Sequence, residues 1–178
     1  MKILDTKRLL LRHLQPDDLE ALYALYRDQE IRQYFPEGVR TLEETRAELD
    51  WFRNGHPQYP HLGLWATVEK STDEFLGRCG LLPWKINGTN EVELAFMIRK
   101  ERWREGLAFE AAQGIIEYAT CVLRLSRLVC LITPGNEASV AVAMKVGMGF
   151  EREHTDEFGL CHIYAMSLVS KNTQPLAY

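Results

Sequence analysis

One stretch of the chain constrains its fold more than any other: between Glu91 and Val122 the hydrophobic period changes from two to about 3.6. In Glu91–Ile98, Val92, Leu94, Phe96 and Ile98 alternate with Glu91, Glu93, Ala95 and Met97, the pattern of a strand. A charged loop, Arg99–Arg104, follows. From about Gly106 to Val122, Ala108, Ala111, Ala112, Ile115, Ala119 and Val122 form a helical stripe. Leu128–Thr133 is then continuously apolar, as a strand buried on both faces would be. Strand, helix and strand in this order place the chain among mixed α/β or α+β folds, with helices packed on a sheet.

The remaining segments extend that reading. Residues 3–12 alternate around Leu9 and Leu11 and read as one strand. Asp17-Asp18 opens a helix carrying Leu19, Leu22, Tyr23 and Tyr26, with acids where the helix dipole favours them. A second helix is expected from about Thr41 to Asn54, with Thr41 and Glu44 as a capping box, and Gly55–Pro60 ends it. Strands near 62–70 and 75–83 flank the Ser71-Thr72-Asp73 turn, and Asn87-Gly88 marks another turn. After Pro134-Gly135, Asn136 caps a short helix to about Val146, and two strands lie near 148–155 and 160–168. Ser170–Tyr178 reads as a loose polar tail. No repeat or composition break divides the 178 residues, so one domain over 1–178 is expected, with its core at about 6–168.

Composition bounds the function. A chain of this length removes roughly 70% of its surface from water on folding, enough for a core without staples. Hydrophobic residues at 46% and charged residues at 26% exclude a disordered or low-complexity chain. A net charge of −4 argues against a nucleic-acid partner. No apolar run approaches the roughly 20 residues of a membrane span, so no membrane partner is expected. The start, Met1-Lys2-Ile3-Leu4-Asp5, is too charged for a signal peptide, and a cytoplasmic protein is expected. Cys79, Cys121, Cys130 and Cys161 are widely spaced, and the histidines at 13, 56, 61, 154 and 162 do not cluster with them. No metal is inferred, and the cysteines read as small buried residues.

Three features can carry chemistry. The helix start at Trp103-Arg104-Glu105-Gly106-Leu107-Ala108 would present unpaired N–H groups to an anion such as phosphate, or is an ordinary helix start after a polar loop. Ser139 shares a helical stripe with Val142, Ala143 and Val146, so its hydroxyl either points into a site or is a small first-turn residue. Glu93 sits in mid-strand: routine on a solvated sheet, but a base with a raised pKa in a cleft.

Together these features resemble the GNAT acetyltransferases of the ribosomal-protein-alanine (Rim-type) branch. The opening Thr6-Lys7-Arg8-Leu9-Leu10-Leu11-Arg12, followed by Pro16-Asp17-Asp18, is similar to theirs. Their E-x-G-Y and W-G-x-G-x-A-x-E-A stand here as Glu93-Leu94-Ala95-Phe96 and Trp103-Arg104-Glu105-Gly106-Leu107-Ala108-Phe109-Glu110-Ala111. Their N-x-x-S…K-x-G-(F/M) is matched by Asn136, Ser139, Lys145, Gly147 and Met148, and the resemblance spans about 6–168. Arg104 replaces the first loop glycine, Phe109 a usual Thr or Ser, and Ala143 the tyrosine that serves many members as general acid.

The resemblance implies a mixed, mostly antiparallel sheet splayed between the Glu91–Ile98 and Leu128–Thr133 strands and flanked by helices. It implies acetyl-CoA as co-substrate. The pantetheine arm would run along the Phe96, Met97 and Ile98 backbone. The pyrophosphate would lie on Arg104, Glu105, Gly106, Leu107 and Ala108, with Asn136, Ser139 and Lys145 completing the site. The expected reaction is direct acetyl transfer to an amine on a small molecule or a peptide. Glu93 is expected as base, with Glu91 as runner-up, and Ser139 as a weak donor to the leaving thiolate. The rival expectation is an inactive acyl-CoA-binding sensor or assembly module. A monomer or a homodimer is compatible with either.

Overall fold

A hairpin starts the chain, where the alternation alone predicts a single strand over 3–12. In the computed structural model, which describes residues 1–168, β1 (Lys2–Asp5) turns back into β2 (Leu9–Arg12). The expected loose tail at 170–178 lies outside the described residues. The turn is closed locally, the Thr6 N–H donating to Leu9 O at 2.9 Å and the Leu9 N–H to Thr6 Oγ1 at 3.0 Å. It is held from a distance: Thr6 Oγ1 donates to Glu110 Oε1 at 2.6 Å, and the Arg8 N–H donates to the same oxygen at 2.7 Å. No local pattern encodes a carboxylate about a hundred residues away.

Three helices follow. α1 (Leu19–Tyr26) begins after a 3-10 turn at Pro16–Asp18. A short α2 (Gln29–Arg32), absent from the sequence expectation, is capped by the Asp28 carboxylate, which accepts from the Glu30 and Ile31 N–H groups. α3 (Leu42–Phe52) carries the expected capping box of Thr41 and Glu44.

β3 (Gly63–Glu69), β4 (Phe75–Ile86) and β5 (Thr89–Ile98) form an antiparallel meander. β4 runs beyond the expected end at 83, straight through Pro83. β3 stops opposite Leu81, so the missing proline N–H faces a side with no neighbouring strand. Asn87 (φ 49°) and Gly88 (φ 83°) make the two-residue hairpin turn that pairs Ile86 with Thr89. α4 (Leu107–Cys121), β6 (Arg127–Ile132), α5 (Glu137–Lys145), β7 (Gly149–Asp156) and β8 (Gly159–Ser167) complete the order.

The eight strands form one sheet, β1-β2-β3-β4-β5-β6-β8-β7, antiparallel except between β5 and β6. One face buries Leu9, Leu11, Trp65, Leu81 and Leu94 against Leu107, Ala111, Ala112, Ile115 and Ala119 of α4. The other packs Leu64, Ala66, Val68, Ala95 and Met97 under Leu22, Tyr26, Leu49 and Phe52 of α1 and α3. The alternation read in β5 therefore sends its two faces to two cores. The α4 stripe shifts at its ends: Leu107 is buried, whereas Val122, one residue past the helix, is exposed. No helix among the described residues is long and apolar enough to cross a membrane.

The position of the site follows from one irregularity. β5 and β6 pair only at Glu93 and Val129, and beyond that point they part. Because the two strands are parallel, the helices that follow them, α4 and α5, both begin at the splayed end.

Candidate active site

A cavity of about 610 Å³ passes through the gap between β5 and β6. Its walls include Glu93, Leu94, Ala95 and Phe96 of β5, Cys130–Ile132 of β6, and Asn136 and Ser139 at the start of α5. The α1–α3 layer adds Arg32, Phe35 and Phe52, and β4 adds Arg78 and Trp84.

Glu93 stands where the strands diverge. Trp84 Nε1 donates to its Oε2 at 2.6 Å, a diagonal pair across the β4–β5 ladder. Burial pushes the Glu93 pKa upward; the Trp84 hydrogen bond, the Arg78 charge and the Leu131 backbone N–H oppose this without cancelling it. The carboxylate is only partly accessible, and the cavity is its opening. Glu91, on the same strand face, does not line the cavity: it is buried against Arg127 at 3.1 Å, and Arg127 also holds Glu151.

Asn136 caps α5, its Oδ1 accepting from the Ser139 N–H at 3.1 Å, which leaves the Ser139 side chain on the cavity wall. Cys130 donates its thiol to Leu94 O at 3.1 Å. Burial, then the charge of Glu93, pushes its pKa well up, so it is held as an unreactive thiol.

The loop into α4 is fixed by polar contacts. Trp103 Nε1 donates to Ile98 O at 2.7 Å, and Arg102 pairs with Glu69, Glu74 and Glu105. No side chain caps α4, so its first N–H groups remain available at a positive dipole end. Gly106, the N-cap, is left-handed at φ 75°, and so is Arg104 at φ 67°. Glycine adopts this conformation without cost, which accounts physically for the glycine that Arg104 replaces. Phe96 lines the cavity, while Met97 and Ile98 send their side chains into the cores. Past Glu93, β5 has no strand neighbour on its β6 side, so its backbone edge faces the gap. Glu105, Leu107 and Ala108 sit in or just after the loop, and Leu107 is a core residue. Lys145 lies over the Phe109 ring at 4.4 Å, a cation–π clip between α5 and α4.

Sequence reasoning missed Trp84, Arg78 and Arg32. A signal existed for the first two, because the two-residue Asn87-Gly88 turn sets the β4–β5 register and puts Arg78, Leu82 and Trp84 on the face of Glu93. Nothing local marks Arg32.

A parallel strand pair that splays over a carboxylate, with two helix N-termini at the open end, forms a wedge suited to an elongated ligand that carries negative charge. The acetyltransferase (GNAT) domain family matches residues 8–149, and the chain belongs to this family. An uncharacterised Bacillus subtilis protein, YkkB, is 32% identical over 148 residues, covering 83% of this chain and 85% of its own. A GNAT-family acetyltransferase structure from Bacillus anthracis superimposes with a TM-score of 0.80 at 24% identity, covering 94% of this chain and 98% of that one. RimL, a ribosomal L7/L12 α-N-protein acetyltransferase in complex with coenzyme A, gives 0.75 at 17% identity, covering 94% and 98%. Spermidine N-acetyltransferase from Vibrio cholerae, in complex with coenzyme A and spermine, gives 0.72 at 17% identity, covering 92% and 97%.

Proposed function

We propose that this protein, acting as one catalytic domain, transfers the acetyl group of acetyl-CoA directly to an amine. The observation that carries the reading is Glu93: a partly accessible carboxylate with a raised pKa, at the point where β5 and β6 part. The unpaired β5 edge at Phe96–Ile98 suits the pantetheine arm. The uncapped start of α4, from Arg104 through Ala108, suits the pyrophosphate. Asn136 shapes the start of α5, and Lys145 adds a cation at its far end, braced by Phe109.

An ammonium has no lone pair, so the reaction begins with loss of a proton. Glu93 accepts it, through water, and its raised pKa narrows the gap to the amine's own. The free amine attacks the thioester carbonyl, the C–N bond forms, the nitrogen gives up its second proton to water, and collapse of the tetrahedral intermediate breaks the C–S bond. A backbone N–H on the open β5 edge stabilises the oxyanion. The CoA thiolate leaves with the Ser139 hydroxyl as donor, a modest need because a thiol is a fair acid. Relatives in this fold act on a protein N-terminus or a polyamine, which supports an amine as acceptor.

The test is a pH–rate profile of wild type, Glu93→Gln and Glu91→Gln with one accepted amine. Glu93→Gln should keep acetyl-CoA binding and lose roughly 10²–10⁴ in kcat, the usual contribution of a general base. The deficit should shrink at high pH, where the amine is already free. Glu91→Gln should alter stability rather than the profile, because its carboxylate is committed to Arg127. Binding of acetyl-CoA without turnover of any amine would instead indicate an acyl-CoA-binding module.

A further inference from the structure

We infer that the acceptor is a compact amine that also carries a carboxylate, which Arg78 receives in the cavity. The inference rests on the acetyl-transfer reading and adds to it the class of acceptor.

Arg78 is only 6% exposed, yet no carboxylate among the described residues forms an ion pair with it. Its Nε donates to Tyr26 Oη at 2.8 Å. Its two terminal nitrogens have no protein acceptor among the described residues, and the little surface the residue retains opens on the cavity it lines. The neighbouring charges are committed elsewhere. Glu48 accepts from the Tyr26 hydroxyl and faces Arg40 at 3.7 Å. Arg32, also buried, has Glu37 at 3.2 Å and Gly38 O at 2.6 Å. Arg32 and Arg78 lie over the same Tyr26 and Phe35 rings. Glu48 and Glu93 favour the charge of Arg78 from a distance, but neither fills its fork, whose terminal N–H groups stay open to an anion in the cavity. The planar pair of terminal N–H groups fits a carboxylate edge-on.

The geometry also ties this charge to the base. Leu82 pairs with Glu93 and Arg78 with Met97, so Arg78 and Glu93 rise from one sheet face, four residues apart along the ladder. Ala95, the small β5 residue between them, lines the cavity. An acceptor lying over Ala95 would present its ammonium to Glu93 and its carboxylate to Arg78. The walls beside it, Phe35, Phe52, Leu82 and Trp84, are apolar or aromatic. The cavity must also admit the acetyl end of the thioester, and the distance over Ala95 from Glu93 to Arg78 is bridged by a compact acceptor. A polyamine would place further cations beside Arg32 and Arg78, while Glu37, Glu48 and Asp156 also line the cavity, so spermidine is the rival acceptor to test.

The experiment measures CoA release with free L-amino acids, the corresponding carboxamides, aminophosphonate analogues and spermidine. Wild type, Arg78→Lys and Arg78→Met are compared, with thermal melts to verify folding. Arg78→Lys keeps the charge and removes the fork, so it reads the site even if Arg78→Met does not fold. For the best amino acid, wild-type kcat/KM should exceed that of its carboxamide by about 10²-fold or more. Arg78→Lys should cut that ratio at least tenfold, mainly through KM. Carboxamides or spermidine used as well as amino acids would overturn the inference, as would a preference that survives in both variants or a preference for the aminophosphonate. If no amine is acetylated, the transfer reading fails separately, and calorimetry with N-acetyl-L-amino acids decides the subsite. Binding weakened at least tenfold by Arg78→Lys keeps the subsite; equal or absent binding removes it.

Discussion

At the residue scale, Glu93 is held in a state that costs stability. Burial raises its pKa above the ordinary carboxylate range, so the folded protein binds its proton more tightly than the unfolded chain does. The stability tied to that proton is fully present below the ordinary glutamate pKa and is lost as pH rises through the raised one. Glu93→Gln keeps an oxygen for the Trp84 N–H and removes the ionisation. The variant should therefore melt a few degrees above wild type near pH 7.5, with the gap closing as the pH falls toward 4. Differential scanning calorimetry across that range checks the sign; a variant less stable at neutral pH would show that the carboxylate is not strained. A gain in stability together with a loss of rate is the exchange expected of a catalytic group.

At the scale of elements, the unit that matters is β5, its loop and α4. The period change made each piece legible, and the missing side-chain cap on α4 is consistent with Gly106 at the N-cap. The left-handed φ of Arg104 was not legible, because a non-glycine residue in that conformation costs about 1–2 kcal/mol and is supported here by its anchored neighbours. Arg104→Gly relieves the strain and removes a charge. Its melting temperature should stay close to wild type, since the freer unfolded chain offsets the relief. If Arg104 faces the pyrophosphate, KM for acetyl-CoA should rise severalfold at low salt, and the difference should fade at high salt. An unchanged KM would place the guanidinium away from the phosphates. Gly106→Val is a poorer probe. A Cβ at Gly106 meets only Arg8 Nη2 at 3.8 Å, but the positive φ strains any β-branched residue there.

At the scale of the whole molecule, Glu110 joins the start of the chain to α4. It accepts from Thr6 Oγ1, the Arg8 N–H and the Arg8 guanidinium. Burial raises its pKa, but these hydrogen bonds together outweigh it, and the net shift is downward. Stability from a depressed carboxylate is present above the ordinary glutamate range and is lost as pH falls through the folded value. Glu110→Ala should cost about 2–3 kcal/mol at pH 7, the scale of hydrogen bonds to a charged group. The deficit should narrow in acid, where the wild-type carboxylate is protonated. Denaturant melts from pH 7 down to about pH 3 measure both. A deficit independent of pH would mean that packing, not charge, holds the hairpin.

The sequence by itself determined what depends on neighbours along the chain. It specified the two faces of β5, the α3 capping box, the Asn136 cap and the Asn87-Gly88 turn, because period, caps and turns are set within a few residues. Through its motifs it also pointed to Glu93, Ser139 and the start of α4. The tertiary structure decided which carboxylate faces the cavity: Glu91 and Glu93 share one strand face, and only packing gives Arg127 to one and Trp84 to the other. It decided how the first hairpin is anchored, because Glu110 reaches its turn from a distant helix. It alone brought Arg78 and Arg32 to the same aromatic rings beside the cavity. Burial and pairing between distant segments have no local signature, since they come from the way the sheet brings remote side chains together.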